Sequence, residues 1–263
     1  MTSREGLTIY ILNCQSLNKH ASDLNDSICQ KSNFLLLSET WLPDDKSVEL
    51  PNFNCIAHFK RKNVRAAGVA IYQNSNISRI STTNIDLMVQ NATEINVSQA
   101  PVGDLCQCAS QIVMDNGREF LMVVVYISPN QKIDIIAFLH RRLLPYSREG
   151  SMLLKENLDE LPLILAGDFN VNFARDDSLP LITFLQEKFN LHINNDPREA
   201  TTRYGTAIDG VFTRYLDNVM SRTFVAYFSY HRPIVTLIPS IVPLEASTAT
   251  ITEITDEATD NIE

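Results

Sequence analysis

Short apolar runs bounded by polar or turn-forming residues dominate this chain. Runs at 7–12, 34–37, 53–57, 68–72, 87–97, 107–114, 119–126, 162–166, 208–212, 219–226 and 234–238 have the length and flanks of strands. Helical spacing is confined to four places: Ala21, Leu24 and Ile28 on one stripe, then 133–144, then 152–161. The fourth is a face of Leu181, Ile182, Leu185 and Phe189, with Ser178 placed to cap it. Residues 43–51 read as loop and 74–84 as a connector. Asp115-Asn116-Gly117 supplies the positive-φ residues of a tight hairpin. From Leu244 onward Thr, Ala and Glu alternate with no apolar period, as in a disordered acidic tail.

Strands outnumber helices, and the hairpin demands an antiparallel pair. The pattern predicts an α/β fold of two packed, mainly antiparallel sheets with outer helices, not one doubly wound parallel sheet. One such domain is expected over 1–243, followed by the tail at 244–263. Composition agrees: 44% hydrophobic and 20% charged residues can bury a substantial core. The five cysteines are scattered, and only Cys106 and Cys108 lie close, with no zinc-like spacing beyond them. A reduced intracellular compartment, nuclear or cytoplasmic, is expected. No run of apolar residues reaches membrane-spanning length, and the first residues are not a signal peptide. A soluble protein without membrane contact is the expectation.

The net charge of −9 becomes −3 once the six acids of 244–263 are set aside, so charge argues neither for nor against a nucleic-acid partner. The candidate chemistry lies at strand ends. Gly167, Asp168 and Asn170 follow the apolar run at 162–166, so a carboxylate and a carboxamide leave the strand on one face. The alternative for this stretch is a strand followed by an Asx-type turn. Asn13 and Glu39 likewise follow apolar runs, Asp209 sits just inside one, and His231 precedes Pro233. Such groups can converge on one rim of packed sheets. Together they suit metal-assisted phosphodiester hydrolysis: a hard cation on carboxylates, a second acid for water, and His, Asn and Tyr donors for phosphate oxygens. No P-loop, G-x-S-x-G or H-E-x-x-H motif competes.

These residues also carry a resemblance. The series Asn13-Cys-Gln-Ser16, Ser38-Glu39-Thr-Trp41, Gly68-Val-Ala-Ile-Tyr72, Val125-Tyr126-Ile-Ser-Pro129, Gly167-Asp-Phe-Asn170, Ile208-Asp209-Gly-Val211 and Ser229-Tyr-His-Arg-Pro233 resembles the endonuclease/exonuclease/phosphatase superfamily. Within it the chain is most similar to endonuclease domains of non-LTR retrotransposons and other eukaryotic mobile elements. The resemblance implies a four-layer α-β-β-α sandwich and a DNA-nicking phosphodiesterase dependent on Mg²⁺, with Mn²⁺ as a substitute and nucleic acid as partner. It implies Glu39 and Asn13 as the metal site and Asp168 as the residue positioning the attacking water. Tyr126 and Asn170 would contact the phosphate, and Asp209 would be a further acid. His231 would stabilise the transition state. Thr202 matches a polar site residue in a register that Thr201 and Thr206 leave open.

The family pattern Ser-Asp-His is here Ser229-Tyr230-His231. In the family that Asp orients the histidine and favours its imidazolium form, so His231 is expected to be less readily protonated here and activity weakened; the alternative is that Tyr230 simply packs inward and the element tolerates it. Arg65, in the basic cluster 60–65, is either a phosphate contact or part of a solvated loop; Trp41 either stacks on substrate or anchors the Glu39 loop. Two rivals stand beside the nuclease: a phosphatase of lipid, inositol or nucleotide esters, and a catalytically impaired binding module. With no polymerase or helicase region after 243, a detached domain or a truncated copy is expected.

Overall fold

Alternation of side chains explains why the strand runs read as continuously apolar. In β1 (Leu7–Asn13), Ile9 and Ile11 bury on one face while Tyr10 and Leu12 bury on the other. The same division holds in β2 (Phe34–Ser38) and in β7 (Glu119–Ile127), where Met122 and Val124 face one way and Val123 and Val125 the other. A strand covered on both faces needs no polar alternation. The computed structural model describes residues 6–42, 48–60, 66–76, 80–85, 105–114, 117–129 and 134–239. The expected strand at 87–97, Asp115 and Asn116 of the hairpin, Arg65 with most of its cluster, and the tail at 244–263 lie outside the described residues.

Among the described residues there are two six-stranded sheets. One contains β1 and β2 with β3 (Phe53–Phe59), β4 (Val69–Asn74), β11 (Met220–Thr223) and β12 (Ile234–Ile238), in the order β11-β12-β1-β2-β4-β3. The other contains β7 with β5 (Ile80–Ile85), β6 (Leu105–Met114), β8 (Leu163–Asp168), β9 (His192–Ile193) and β10 (Asp209–Arg214), ordered β5-β6-β7-β8-β10-β9. β1–β2 and β7–β8 are parallel, and the other pairings are antiparallel. The sheets are mixed and mainly antiparallel, as the sequence predicts.

Between them lies the central core, with Ile9, Phe34, Leu36, Val69 and Ile71 from one sheet and Met122, Val124, Ile164 and Val211 from the other. Helices α1 (Leu17–His20) and α2 (Ser27–Lys31) cover the outer face of the first sheet through Leu17 and Cys29. Helices α3 (Ile135–Leu143), α4 (Arg148–Leu154) and α5 (Leu179–Phe189) accompany the second sheet. Leu139, Leu143, Leu181, Leu185 and Phe189 pack in its outer core. Arg214, buried at the far end of β10, donates to the carbonyls of Tyr146, Leu158, Leu161 and Phe189 and ties this layer down. No described helix is long and apolar enough to cross a membrane. Cys14, Cys29 and Cys55 form no disulfide.

Several expected elements are corrected. The connector at 74–84 contains β5, whose Ser and Thr residues suit an edge strand pairing only with β6. The helix expected over 152–161 starts earlier, at Arg148, because Ser147 Oγ accepts from Gly150 N at 3.0 Å. It ends at Leu154, where Lys155 turns left-handed at φ 57°. Ser178 does not cap α5 with its side chain. A preceding 3₁₀ turn, Asp176–Ser178, runs into the helix, and Ser178 Oγ donates backward to Arg175 O at 2.7 Å. β11 is shorter than the run at 219–226, and the two-residue β9 has no apolar pattern of its own.

Gly167 lets β8 lie against β7 at the strand end. Its φ is +138°, and an added Cβ would meet Val125 O at 2.0 Å. Gly167→Ala is therefore expected to lower stability by about 3 kcal/mol. Urea unfolding reads this; an unchanged midpoint would mean that the β7–β8 pairing can open without loss.

Candidate active site

Two groups of strand ends meet at one rim. In the first sheet, parallel pairing sets Asn13 of β1 beside Ser38 of β2, and Glu39 is the next residue. In the second, Tyr126 of β7, Asp168 of β8 and Asp209 of β10 lie side by side in register. β1 packs on β8 across the sandwich, which brings the two groups face to face. The loops after β1 and β2 are bound together by Cys14 N to Ser38 O at 3.0 Å, Ser16 N to Glu39 O at 2.9 Å and Leu17 N to Thr40 O at 2.9 Å. Gln15, Ser16, Glu39 and Trp41 all take positive φ, at 47°, 92°, 49° and 50°. Such conformations persist in non-glycine residues only where surrounding contacts enforce them, at a cost of about 1–3 kcal/mol each. Here they aim Glu39 inward.

The central contact is one amide shared by two acids. Asn13 Nδ2 donates to Glu39 Oε1 at 2.9 Å and to Asp168 Oδ2 at 2.8 Å. Asp168 Oδ1 accepts from Asn170 N at 2.9 Å, and Asn170 Nδ2 donates to Ile127 O at 2.7 Å. The Gly167–Asn170 stretch is an Asx-type turn, with Asn170 at φ 50°, and it places Asp168 at the rim. On the other side, Asp209 Oδ2 lies 2.8 Å from His231 Nδ1, and His231 Nε2 lies 3.7 Å from Asp168 Oδ2. Asn13, Glu39, Asp168, Asp209 and His231 are all buried or nearly so.

Electrostatics follow from this crowding. Burial first, and then the Asp209 carboxylate, push the Asp168 carboxyl above its ordinary range; His231 and the Asn13 and Asn170 hydrogen bonds oppose the rise. Burial alone would lower His231, but the Asp209 carboxylate, through charge and hydrogen bond, holds its pKa above the ordinary histidine value. The charged partner of His231 is Asp209, from the adjacent strand end, and the residue preceding the histidine in sequence does not supply it. Tyr230 instead lays its ring against the imidazole, with centroids 4.3 Å apart.

Other expected residues divide. Tyr126 is buried beside Asp168 in the inter-sheet layer. Thr202 forms a backbone bridge with His231, but its hydroxyl pairs with Thr206 Oγ1 at 2.7 Å and serves the turn. Arg65 lies outside the described residues. Trp41 is half-buried, with its backbone N–H bound to Ala67 O at 2.9 Å, as suits a loop anchor. Three supporting residues lie within or beside the motifs, but the sequence assigns them no role. Thr201 Oγ1 accepts from Ile208 N and Asp209 N at 3.0 and 3.1 Å and fixes Asp209. Ser229 Oγ donates to Asn13 O at 2.8 Å and accepts from His231 N at 3.1 Å. Gln15 Oε1 accepts from Tyr230 N at 3.2 Å.

The donor set fits a hard divalent cation. Ligand atoms of Asp168, Asp209 and His231 lie within 4.8 Å of one another, and Glu39 joins them through the Asn13 amide. Three buried carboxylates facing one histidine leave a negative excess that a cation offsets. His231 Nε2 is buried with no hydrogen-bond partner, a donor or ligand atom aimed into the site. Asn13 turns its NH₂ toward the acids, and its Oδ1 accepts from Gln15 N at 3.2 Å.

The architecture so defined, two mixed sheets face to face with outer helices, is the four-layer α/β sandwich. Among solved structures it is shared with the catalytic domain of Xenopus laevis APE2 (17% identity, TM-score 0.54, 88% of this chain and 92% of that one). An AP endonuclease from Archaeoglobus fulgidus matches at 14% identity and TM-score 0.53, over 88% of this chain and 99% of the other. An endonuclease/exonuclease/phosphatase family protein from Leptotrichia buccalis matches at 12% identity and TM-score 0.51, over 88% and 98%. No protein-family model and no curated protein matches the chain. Identities this low establish a common fold.

Proposed function

We propose that this chain is a Mg²⁺-dependent phosphodiester hydrolase that nicks DNA, a domain of mobile-element origin. The observation that carries the hydrolase reading is the single Asn13 amide joining Glu39 to Asp168, with the Asp209–His231 pair alongside. Mg²⁺ held by Glu39 with the neighbouring acids, or Mn²⁺ in its place, would neutralise charge on the phosphoryl and leaving oxygens. Asp168 aligns the attacking water and accepts its proton. His231, kept protonated by Asp209, donates from Nε2 to a phosphoryl oxygen as charge develops there. Asn170 spends one amide hydrogen on Ile127 and keeps the other for the phosphate, with Tyr126 at the same strand end.

A DNA substrate is supported by the fold shared with an AP endonuclease, and mobile-element origin by the motif series from Asn13 to Pro233. The Asp209–His231 contact weighs against an impaired binding module, because it supplies the charge that Tyr230 lacks. A phosphatase acting on small esters would use the same residues. Purified protein is therefore given supercoiled plasmid in Mg²⁺ and in EDTA, with phosphate release from nucleotide and inositol phosphates measured in parallel. Nicking that EDTA abolishes, without phosphate release, is the expected result; phosphate release without nicking would replace the nuclease by a phosphatase.

A further inference from the structure

Beyond the acids, three aromatic rings run outward in series from the catalytic rim. Tyr230 lies 4.3 Å from the His231 ring, and Tyr204 lies 5.5 Å from Tyr230, tilted by 49°. Tyr204 is 74% exposed, so its apolar ring faces solvent without core packing to explain it. Both segments are held firmly. Thr202 bridges His231, Arg203 N donates to Tyr230 O at 2.8 Å, and Arg232 N donates to Thr201 O at 2.7 Å. The turn carrying Tyr204 closes through Thr202 N to Thr206 O at 3.0 Å, with Gly205 at φ +83°. In sequence, the exposed Arg203 precedes Tyr204 and the half-buried Arg232 follows His231.

We infer that Tyr204 and Tyr230 form a stacking platform for an unpaired nucleobase next to the scissile phosphate. The proposal rests on the nuclease reading and specifies its substrate as a strand locally unpaired at the site. A base has a π-face whatever its identity, so aromatic platforms bind single strands without reading sequence. The platform begins at the imidazole and extends outward by two ring spacings. A fixed platform loses little entropy on binding, which raises its contribution.

The test compares a fluorescein-labelled single-stranded DNA oligonucleotide with an abasic deoxyribose-phosphate strand of equal length and charge. Affinities for wild type, Tyr204→Ala and Tyr204→Phe are read by anisotropy in EDTA, and cleavage is read separately in Mg²⁺. Tyr204→Ala is expected to weaken binding of the base-bearing strand by about five- to thirtyfold. It should leave the abasic strand unaffected, and Tyr204→Phe should retain the wild-type affinity. Equal loss for both strands, no loss, or failure of wild type to bind the oligonucleotide would overturn the platform. Base-selective loss in a wild-type protein that cuts nothing would keep the platform and remove the hydrolase. Cleavage without base-selective loss would do the reverse.

Discussion

Asp168→Asn will lower kcat for phosphodiester cleavage by about 10²–10⁴-fold while KM changes little. The substitution keeps shape and an oxygen to accept from Asn170 N, but removes the lone pair that takes a proton from water. Because the acceptor matters only as the bond forms, the loss belongs to kcat. The same variant has a stability signature in metal-free protein. Burial and Asp209 hold the folded-state carboxyl of Asp168 above its unfolded value, so the folded state binds the proton more tightly. Stability from this group is full below the ordinary carboxylate pKa and is lost as pH rises through the raised folded value. Asp168→Asn should flatten that fall. Melting temperature against pH in EDTA, alongside single-turnover cleavage in Mg²⁺, checks both halves. A kcat within threefold of wild type would remove Asp168 from the proton transfer.

Asp209→Asn is the second large effect. It should cost about 10²–10⁴-fold in kcat/KM, the scale on which losing the aspartate partner of a catalytic histidine acts in serine proteases. It should also move the alkaline limb of the profile. In wild type, Asp209 holds His231 protonated beyond the ordinary histidine range, and kcat/KM declines as pH rises through that raised value. Without the carboxylate, burial is unopposed and the limb shifts to lower pH. Stability follows the same sign: the His231–Asp209 contribution is fully present below the unfolded histidine pKa and lost as pH rises through the folded one. An Asp209→Asn profile with an unmoved alkaline limb would show that another group sets it.

The sequence made the site's acids visible because each lies at the end of an apolar run, and packed sheets gather strand ends on one rim. Asn13, Glu39, Asp168, Asp209 and His231 come together as expected. What it hid was partnership. Asn13 reaches Asp168 across 155 positions of chain, and His231 takes its carboxylate from Asp209, 22 positions away. The adjacent residue, Tyr230, gives no sign of that partner. Two-sided burial made β1, β2, β7 and β8 legible as apolar runs, whereas β5 was masked by its Ser and Thr edge. Ser178 failed as a cap because the turn before it was already helical, which no pattern of apolar spacing records.

In the proposed mechanism Glu39, Asp168, Asp209 and His231 act as one cation-dependent centre. Its most direct test is the rate of plasmid nicking against Mg²⁺ concentration for wild type and Glu39→Ala. The expected result is saturable dependence in wild type and, in the variant, a rate lower by about 10² or more with a weaker apparent affinity for the ion. Nicking that proceeds in EDTA, or a Glu39→Ala curve superimposable on wild type, would contradict it.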